Sequence, residues 1–268
     1  MGRFFLVQTA KTHYYSPMNI CLFTPDELNQ PLLKKDERNQ HIVKVLHKKA
    51  GDSFDAGVIG GMAGIATITD ISPEGNIQFS FEPKSAGKKL YPLTMIIGFP
   101  RPIQLRRLLR DMAGLGVTKI ILSGTELTEK SYLNSNVVKD GSAFRMLLEG
   151  TAQAASTHVP QLVTSPSLRQ AIQMVREEQD ASPAGCDSSL IALDNVRAGQ
   201  SLHEFLQKEG SHSAVAAIGS ERGWTDRERD LLQDAGFSLC SMGCRVLRTE
   251  TAATVAASLI LDSMGFLG

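Results

Sequence analysis

Two arginines separated by an apolar pair stand in Cys244-Arg245-Val246-Leu247-Arg248-Thr249-Glu250-Thr251-Ala252. A guanidinium offers a rigid fork of donors to an anion, so Arg245 and Arg248 suit the gripping of a polyanion. The plainer reading is a helix-capping segment in which Thr249 caps, Glu250 occupies the first turn and both arginines are solvated. Upstream, Gly219-Ser220-Glu221-Arg222-Gly223 places glycines where backbone N–H groups can approach a ligand closely. Its plainer reading is a tight strand-to-helix turn. Neither G-x-G-x-x-G nor G-x-x-x-x-G-K-[ST] occurs here, which argues against a dinucleotide fingerprint and a triphosphate cradle. No H-E-x-x-H or C-x-x-C pattern occurs, so no metal is expected. The lack of a G-x-S-x-G elbow weakens a hydrolase reading.

The elements that must position these residues can be read around them. Ala214–Ile218 is a short apolar run suited to a buried strand, and Thr225 with Glu228 forms a T-x-x-E capping box for a helix that stops before Gly236. A second run, Phe237–Met242, meets Gly243, and a polar loop leads into a helix over Thr249–Asp262. Strand, glycine loop and helix, twice over, make a ligand crevice at the carboxyl ends of α/β strands. Farther upstream the same rhythm predicts strands at Leu93–Ile97, Thr118–Leu122 and Leu190–Leu193. Helices are predicted at Ile103–Leu115 and Ser142–Ser156, with two more capped by Ser167 and Ser201. A mostly parallel α/β sheet is the expectation for residues 91–268.

Residues 1–82 read differently. Strict alternation in Asn76–Phe81 and in Gly64–Ile71, with turn residues between, indicates a small β-rich module. Gln40–Lys49 reads as a short helix with a basic face, and Glu82–Lys89 as the linker that ends the module. Basic residues cluster twice, at Lys34, Lys35, Arg38, Lys44, Lys48 and Lys49, and at Arg101, Arg106, Arg107 and Arg110. Each cluster is either a phosphate-contacting surface or a solvated face.

With 28 basic and 28 acidic residues, the chain can bind nucleic acid only through such local clusters. Four scattered cysteines suit a reducing compartment. No apolar run approaches the ~20 residues that span a bilayer, and the N-terminus lacks a signal-peptide core. A cytoplasmic protein without a membrane partner is expected.

Two of these segments resemble a known family. Ala217–Thr225 is similar to the I-G-P-E-G-G-[FW]-[ST] loop of the 16S ribosomal RNA uracil-N3 methyltransferases of the RsmE type, and Ser241–Ala252 to that family's S-L-G-x-R-I-L-R-x-E-T-A. Gly114-Leu115-Gly116-Val117 resembles its E-L-G-V, and Glu149, Gln153 and Pro160 fit the region that follows. His41–Asp52 resembles its H-x-x-x-V-L-R-x-x-x-G-D, with His47 in place of the arginine. Ser220 and Arg222 depart from the family's proline and second glycine, Gly114 from its glutamate, and Ser156 from its arginine.

The resemblance implies an α/β fold: a SPOUT-type C-terminal domain with a trefoil knot, preceded by a small PUA-like β-barrel that docks RNA. It implies a homodimer that uses S-adenosylmethionine on ribosomal RNA or the small ribosomal subunit. Leu193, Ile218, Gly219, Ser220, Glu221, Gly223, Met242, Gly243 and Leu247 would bind the cofactor. Arg245 and Arg248 would hold substrate phosphate or a developing anion, and Glu221 or Glu250 would handle the proton. Lys44, Lys48, Lys49, Arg106 and Arg110 would contact RNA. A SPOUT methyltransferase with another RNA target, or a non-catalytic RNA-binding protein of the same fold, are the alternatives.

Overall fold

Alternation builds the first sheet. β1 (Cys21–Phe23) runs parallel to β2 (Ser53–Val58), which pairs antiparallel with β3 (Ala63–Ile71), and β3 pairs antiparallel with β4 (Ile77–Ser85). Its core gathers Phe23, Leu32, Ile42, Phe54, Ile68 and Ile77. β4 runs to Ser85, through much of the stretch expected as a linker, because residues 82–85 still pair with β3. The computed structural model describes residues 19–133, 141–181, 188–210 and 212–268. His13 and Cys186, the start of the expected first module and most of the loose segment at 180–188 lie outside them.

Segment 40–49 is not one helix. α1 (Glu37–Gln40) is capped by Asp36, and a π-helical turn follows over His41–Val45. His47 takes φ 53°, a left-handed conformation that no helix continues through. Lys44 and Lys49 are exposed and Lys48 is half-buried. Arg38 leaves the basic patch for the fold. Its Nη2 lies 2.7 Å from Glu27 and from Asp36, its Nη1 donates to the Leu22 carbonyl at 2.8 Å, and its guanidinium sits 4.8 Å from the Phe23 ring centroid. The hydrogen bond from Arg38 holds the Glu27 carboxyl down to about 2.

The second sheet is wholly parallel in its pairings, ordered β7-β6-β5-β10-β8-β11-β9. In chain order its elements are β5 (Tyr91–Gly98), α2 (Pro102–Leu115), β6 (Val117–Ser123), α3 (Lys130–Leu133), α4 (Ser142–Gln153), β7 (Gln161–Ser165) and α5 (Leu168–Asp180). There follow β8 (Ser189–Leu193), β9 (Gln200–Ser201), α6 (Leu202–Lys208), β10 (Ala214–Ile218), α7 (Asp226–Asp234), β11 (Ser238–Ser241) and α8 (Thr249–Ser263). Every residue of β10 is buried, as a central parallel strand covered on both faces requires. Leu93, Met95, Ile97, Ala216 and Ile218 pack with α2, α4 and α8, whereas Ile96, Val215 and Ala217 pack with α5 and α7. α2 ends at Gly116 with φ 78°, and α4 stops at Gln153, short of the expected Ser156.

The two sheets meet at α4. Ile20, Leu22 and Ala152 form a small shared cluster, the Gly60 N–H donates to the Thr157 carbonyl at 2.8 Å, and Thr157 Oγ1 donates to the Gly61 carbonyl at 2.7 Å.

α8 corrects one expectation. Its N-cap is Arg248, whose side chain makes no cap bond, while Thr249 is the first helical residue and is buried. Much of its apolar surface is buried within this chain. Ala252, Ala253, Ala256, Ala257, Ile260 and Leu261 are buried inside this chain with α2, β5 and β10, and of the large apolar side chains Leu259 remains exposed. Four alanines let the helix lie close to the sheet, so the site has no room for a longer side chain. Ala256→Glu should therefore unfold the C-terminal domain, since a buried unpaired carboxylate costs several kcal/mol. Circular dichroism melts should show a large drop or no transition, and a wild-type melt would refute the burial.

Candidate active site

Five parallel strands deliver their loops to one edge, and close backbone approach shapes that edge. At Gly98, the last residue of β5, a Cβ would lie 2.4 Å from the Ser220 backbone nitrogen. At Gly219 it would lie 2.8 Å from the Gly223 carbonyl carbon. The loop after β10 thus folds back on itself, with the Gly223 N–H donating to the Ser220 carbonyl at 2.8 Å and Gly223 at φ 74°. It is then anchored downward. Trp224 is buried and its Nε1 donates to the Leu193 carbonyl at 3.0 Å, at the end of β8. The capping box closes as expected, with Glu228 Oε2 accepting from the Thr225 N–H at 2.9 Å. Glu228 Oε1 accepts from the Glu126 N–H at 2.8 Å, which ties in the loop after β6. Glu221 Oε1 accepts from the Arg101 N–H at 2.9 Å, at the start of α2.

Between the loops after β8, β10 and β11 lies a cavity of about 240 Å³. All nine candidate ligand-binding positions line it: Leu193, Ile218, Gly219, Ser220, Glu221, Gly223, Met242, Gly243 and Leu247. Arg245 lines it as well. Arg248, exposed at the head of α8, and Glu250, buried in its first turn, are not among the lining residues. Sequence reasoning missed Asp194, Asn195, Arg222, Cys240, Val246, Thr249 and Ala252, which complete the wall. Asp194 and Asn195 directly follow the Leu190–Leu193 run, so the rule that ligands sit at strand carboxyl ends was signal enough to find them.

The wall mixes buried apolar side chains with the buried polar Asp194, Ser220 and Thr249, and its arginines are exposed. Gly243 takes φ 96° with no atom within 4 Å of where its Cβ would be, so the space beside it is open. Ser220 Oγ is buried and has no hydrogen-bond partner among the described residues. Burial pushes the Cys240 thiol up to about 11, which keeps it protonated and removes it as a nucleophile. Arg222, Arg245 and Arg248 are exposed, and their side chains make no hydrogen bond or ion pair among the described residues. The other arginine pair is engaged: Arg106 binds Glu149 through two nitrogens, with Nη2 at 2.9 Å, and Arg110 Nε lies 3.6 Å from the same carboxylate. A larger open groove of about 1080 Å³ runs between α5 and α7. It is lined by both arginines and carboxylates and gathers none of the candidate ligand-binding residues. Among the described residues no group of His, Cys, Asp and Glu is placed to hold a metal, and no helix is long and apolar enough to cross a membrane.

Residues 87–261 match the family model of the RNA methyltransferase domain. The ribosomal RNA small subunit methyltransferase E of Treponema pallidum is 37% identical over 261 residues, covering 91% of each chain. The chain belongs to the ribosomal RNA small subunit methyltransferase E family. A second relative, ribosomal RNA small subunit methyltransferase E 1 of Borreliella burgdorferi, is 32% identical over 246 residues, 92% of this chain and 98% of the relative. The methyltransferase E fold is shared too. The crystal structure of that enzyme from Neisseria gonorrhoeae, bound to S-adenosyl methionine, matches with a TM-score of 0.70 at 20% identity, over 92% of this chain and 98% of the other.

The contact at Gly98 gives the methyltransferase edge a direct test. Gly98→Ala should cost about 1–3 kcal/mol by forcing the strand and loop apart. It should also red-shift the fluorescence of Trp224, the chain's one tryptophan, by loosening its packing. Gly114→Ala, in α2 with nothing within 4 Å, is the control. It should be neutral or stabilise by about 0.5–1 kcal/mol.

Proposed function

We propose that this chain transfers a methyl group from S-adenosylmethionine to the N3 of a uridine in small-subunit ribosomal RNA. The observation that carries the proposal is the convergence of the loops after β8, β10 and β11 on one glycine-edged cavity with a cationic mouth, in a member of an RNA methyltransferase family. The residues present fit the cofactor. Leu193, Ile218, Met242, Leu247 and Ala252 offer apolar contact to an adenine, Gly243 leaves space for close approach, and the Ser220 hydroxyl is an unsatisfied polar group in the same wall. The cofactor supplies an electrophilic methyl on a sulfonium.

The chain's own residues do the rest. Uridine N3–H is a weak acid and must lose its proton before N3 can attack. Glu221 is exposed at the mouth, and with Oε1 committed to the Arg101 N–H its Oε2 is the acceptor for that proton. Arg245, on the cavity edge, stabilises the uridine anion or a flanking phosphate. Arg248 extends the cationic surface away from the cavity toward RNA. Glu250 remains the second candidate for the proton, one position from the lining residue Thr249. Most of the rate comes from holding methyl and N3 together.

The finer architecture follows from the same reading. The first sheet is a PUA-like barrel that docks RNA, the parallel domain carries the SPOUT trefoil knot, and the working unit is a cytoplasmic homodimer. The exposed Ile103 of α2 and Leu259 of α8 are apolar positions suited to an interface between two copies. Arg222 favours a second reading, a changed RNA target, because it brings a charge into the cavity lining where the family's loop has glycine.

Methyl transfer should be measured on bare ribosomal RNA and on small subunits, with mass spectrometry of ribosomal RNA from cells with and without the gene. A methylated uridine that disappears on deletion supports the reading. Loss of a different modified nucleotide supports the second reading, and no loss refutes both. RNA affinity should fall as salt rises, and Lys44→Gln with Lys49→Gln should flatten that slope by about one unit for each phosphate contact removed. Arg106→Gln with Arg110→Gln should flatten it less, since Glu149 already offsets part of their charge.

A further inference from the structure

Two charged side chains that no motif announces are buried against each other, and one of them, Asp194, lines the cavity. Asp194 directly follows β8, and Arg229 lies on α7. Their side chains are 1% and 7% exposed, with Arg229 Nε donating to Asp194 Oδ1 at 3.0 Å. Asp194 Oδ2 accepts from the backbone N–H groups of Val196 at 3.2 Å and Arg197 at 2.5 Å, which curls 194–197 into a turn. The other arm of the fork, Nη1, donates to Asp226 at 3.2 Å. Outside this pair, Arg197 Nη1 reaches Asp230 at 2.6 Å and its Nη2 reaches Asp226 at 3.1 Å.

A buried ion pair is a poor way to stabilise a fold, because desolvation offsets most of the attraction and an apolar pair of similar size does as well. What this pair provides is geometry. Asp194 and Asn195 form the β8 wall of the cavity, and α7 continues directly from the glycine loop that forms the β10 wall. Arg229 is therefore a strut between two walls that belong to different strand ends. We propose that Arg229 is a positioning residue for cofactor binding: its fork fixes Asp194 and Asn195 against the glycine loop, so that affinity for the cofactor depends on it. The inference rests on the assignment of this cavity to S-adenosylmethionine.

The full chain should be titrated by calorimetry with S-adenosylmethionine and with S-adenosylhomocysteine, alongside thermal melts and steady-state kinetics. Arg229→Lys keeps the charge, but one ammonium cannot serve Asp194 and Asp226 as the planar fork does. Asp194→Asn with Arg229→Gln removes both charges. At least one variant is expected to fold, with Kd and KM for the cofactor raised on the order of tenfold or more. Arg229→Lys, which changes no lining residue, should keep its turnover at saturating cofactor within about twofold of the wild type. A folded variant that binds within about twofold of the wild type would overturn the proposal. Failure of both variants to fold would overturn it as well, because the pair would then serve the fold alone. If the wild-type chain binds neither ligand, the assignment of the cavity is what fails, and the inference falls with it.

Discussion

The site depends on how closely two backbones can pass. At Gly98 and at Gly219 even a methyl group would collide with the main chain opposite. Those contacts press the end of β5 against the loop after β10 and force that loop to double back. The doubled loop then hands Trp224 to the Leu193 carbonyl and Glu228 to the Glu126 N–H, so two further segments inherit their positions from it. The cavity is what remains between β8, β10 and β11 once these contacts are satisfied. Its shape is thus a property of main-chain proximity first and of side-chain filling second.

Electrostatics sorts the arginines into two kinds. Arg38, Arg106, Arg110, Arg197 and Arg229 are each held by carboxylates within the chain. Arg222, Arg245 and Arg248 stand exposed near the cavity without such partners among the described residues. A chain of zero formal net charge can in this way keep unpaired arginines beside the cavity. Composition alone cannot reveal that pattern, because it counts paired and unpaired arginines alike.

What the sequence makes legible is local. The capping pairs Thr225–Glu228, Ser201–Glu204 and Ser167–Gln170 mark helix starts that the structure reproduces, since each involves residues three positions apart. The strands Ala214–Ile218 and Leu190–Leu193 are legible from their apolar runs. The placement of β10 between β5 and β8 is not, because sheet order depends on packing across the whole domain. The Asp194–Arg229 pair escapes for the same reason: its members are far apart in the chain, and only that strand order makes them neighbours. Thr249 misleads as a cap because Arg248 already has the extended backbone that a cap needs. Segment 40–49 misleads because apolar spacing says nothing of the left-handed turn at His47.

The joint between the two sheets has a consequence of its own. Thr157 accepts from one residue of the β2–β3 connection and donates to the next, and at Gly57 a Cβ would sit 2.4 Å from the Thr157 methyl. A hinge needs slack, and this contact has little. The lysines of the first sheet and the mouth of the cavity are therefore two marks on one ruler. For an RNA held at both, reach along the folded strand becomes a selection criterion in itself. On the proposed function, a nucleotide of the right kind at the wrong distance would not arrive.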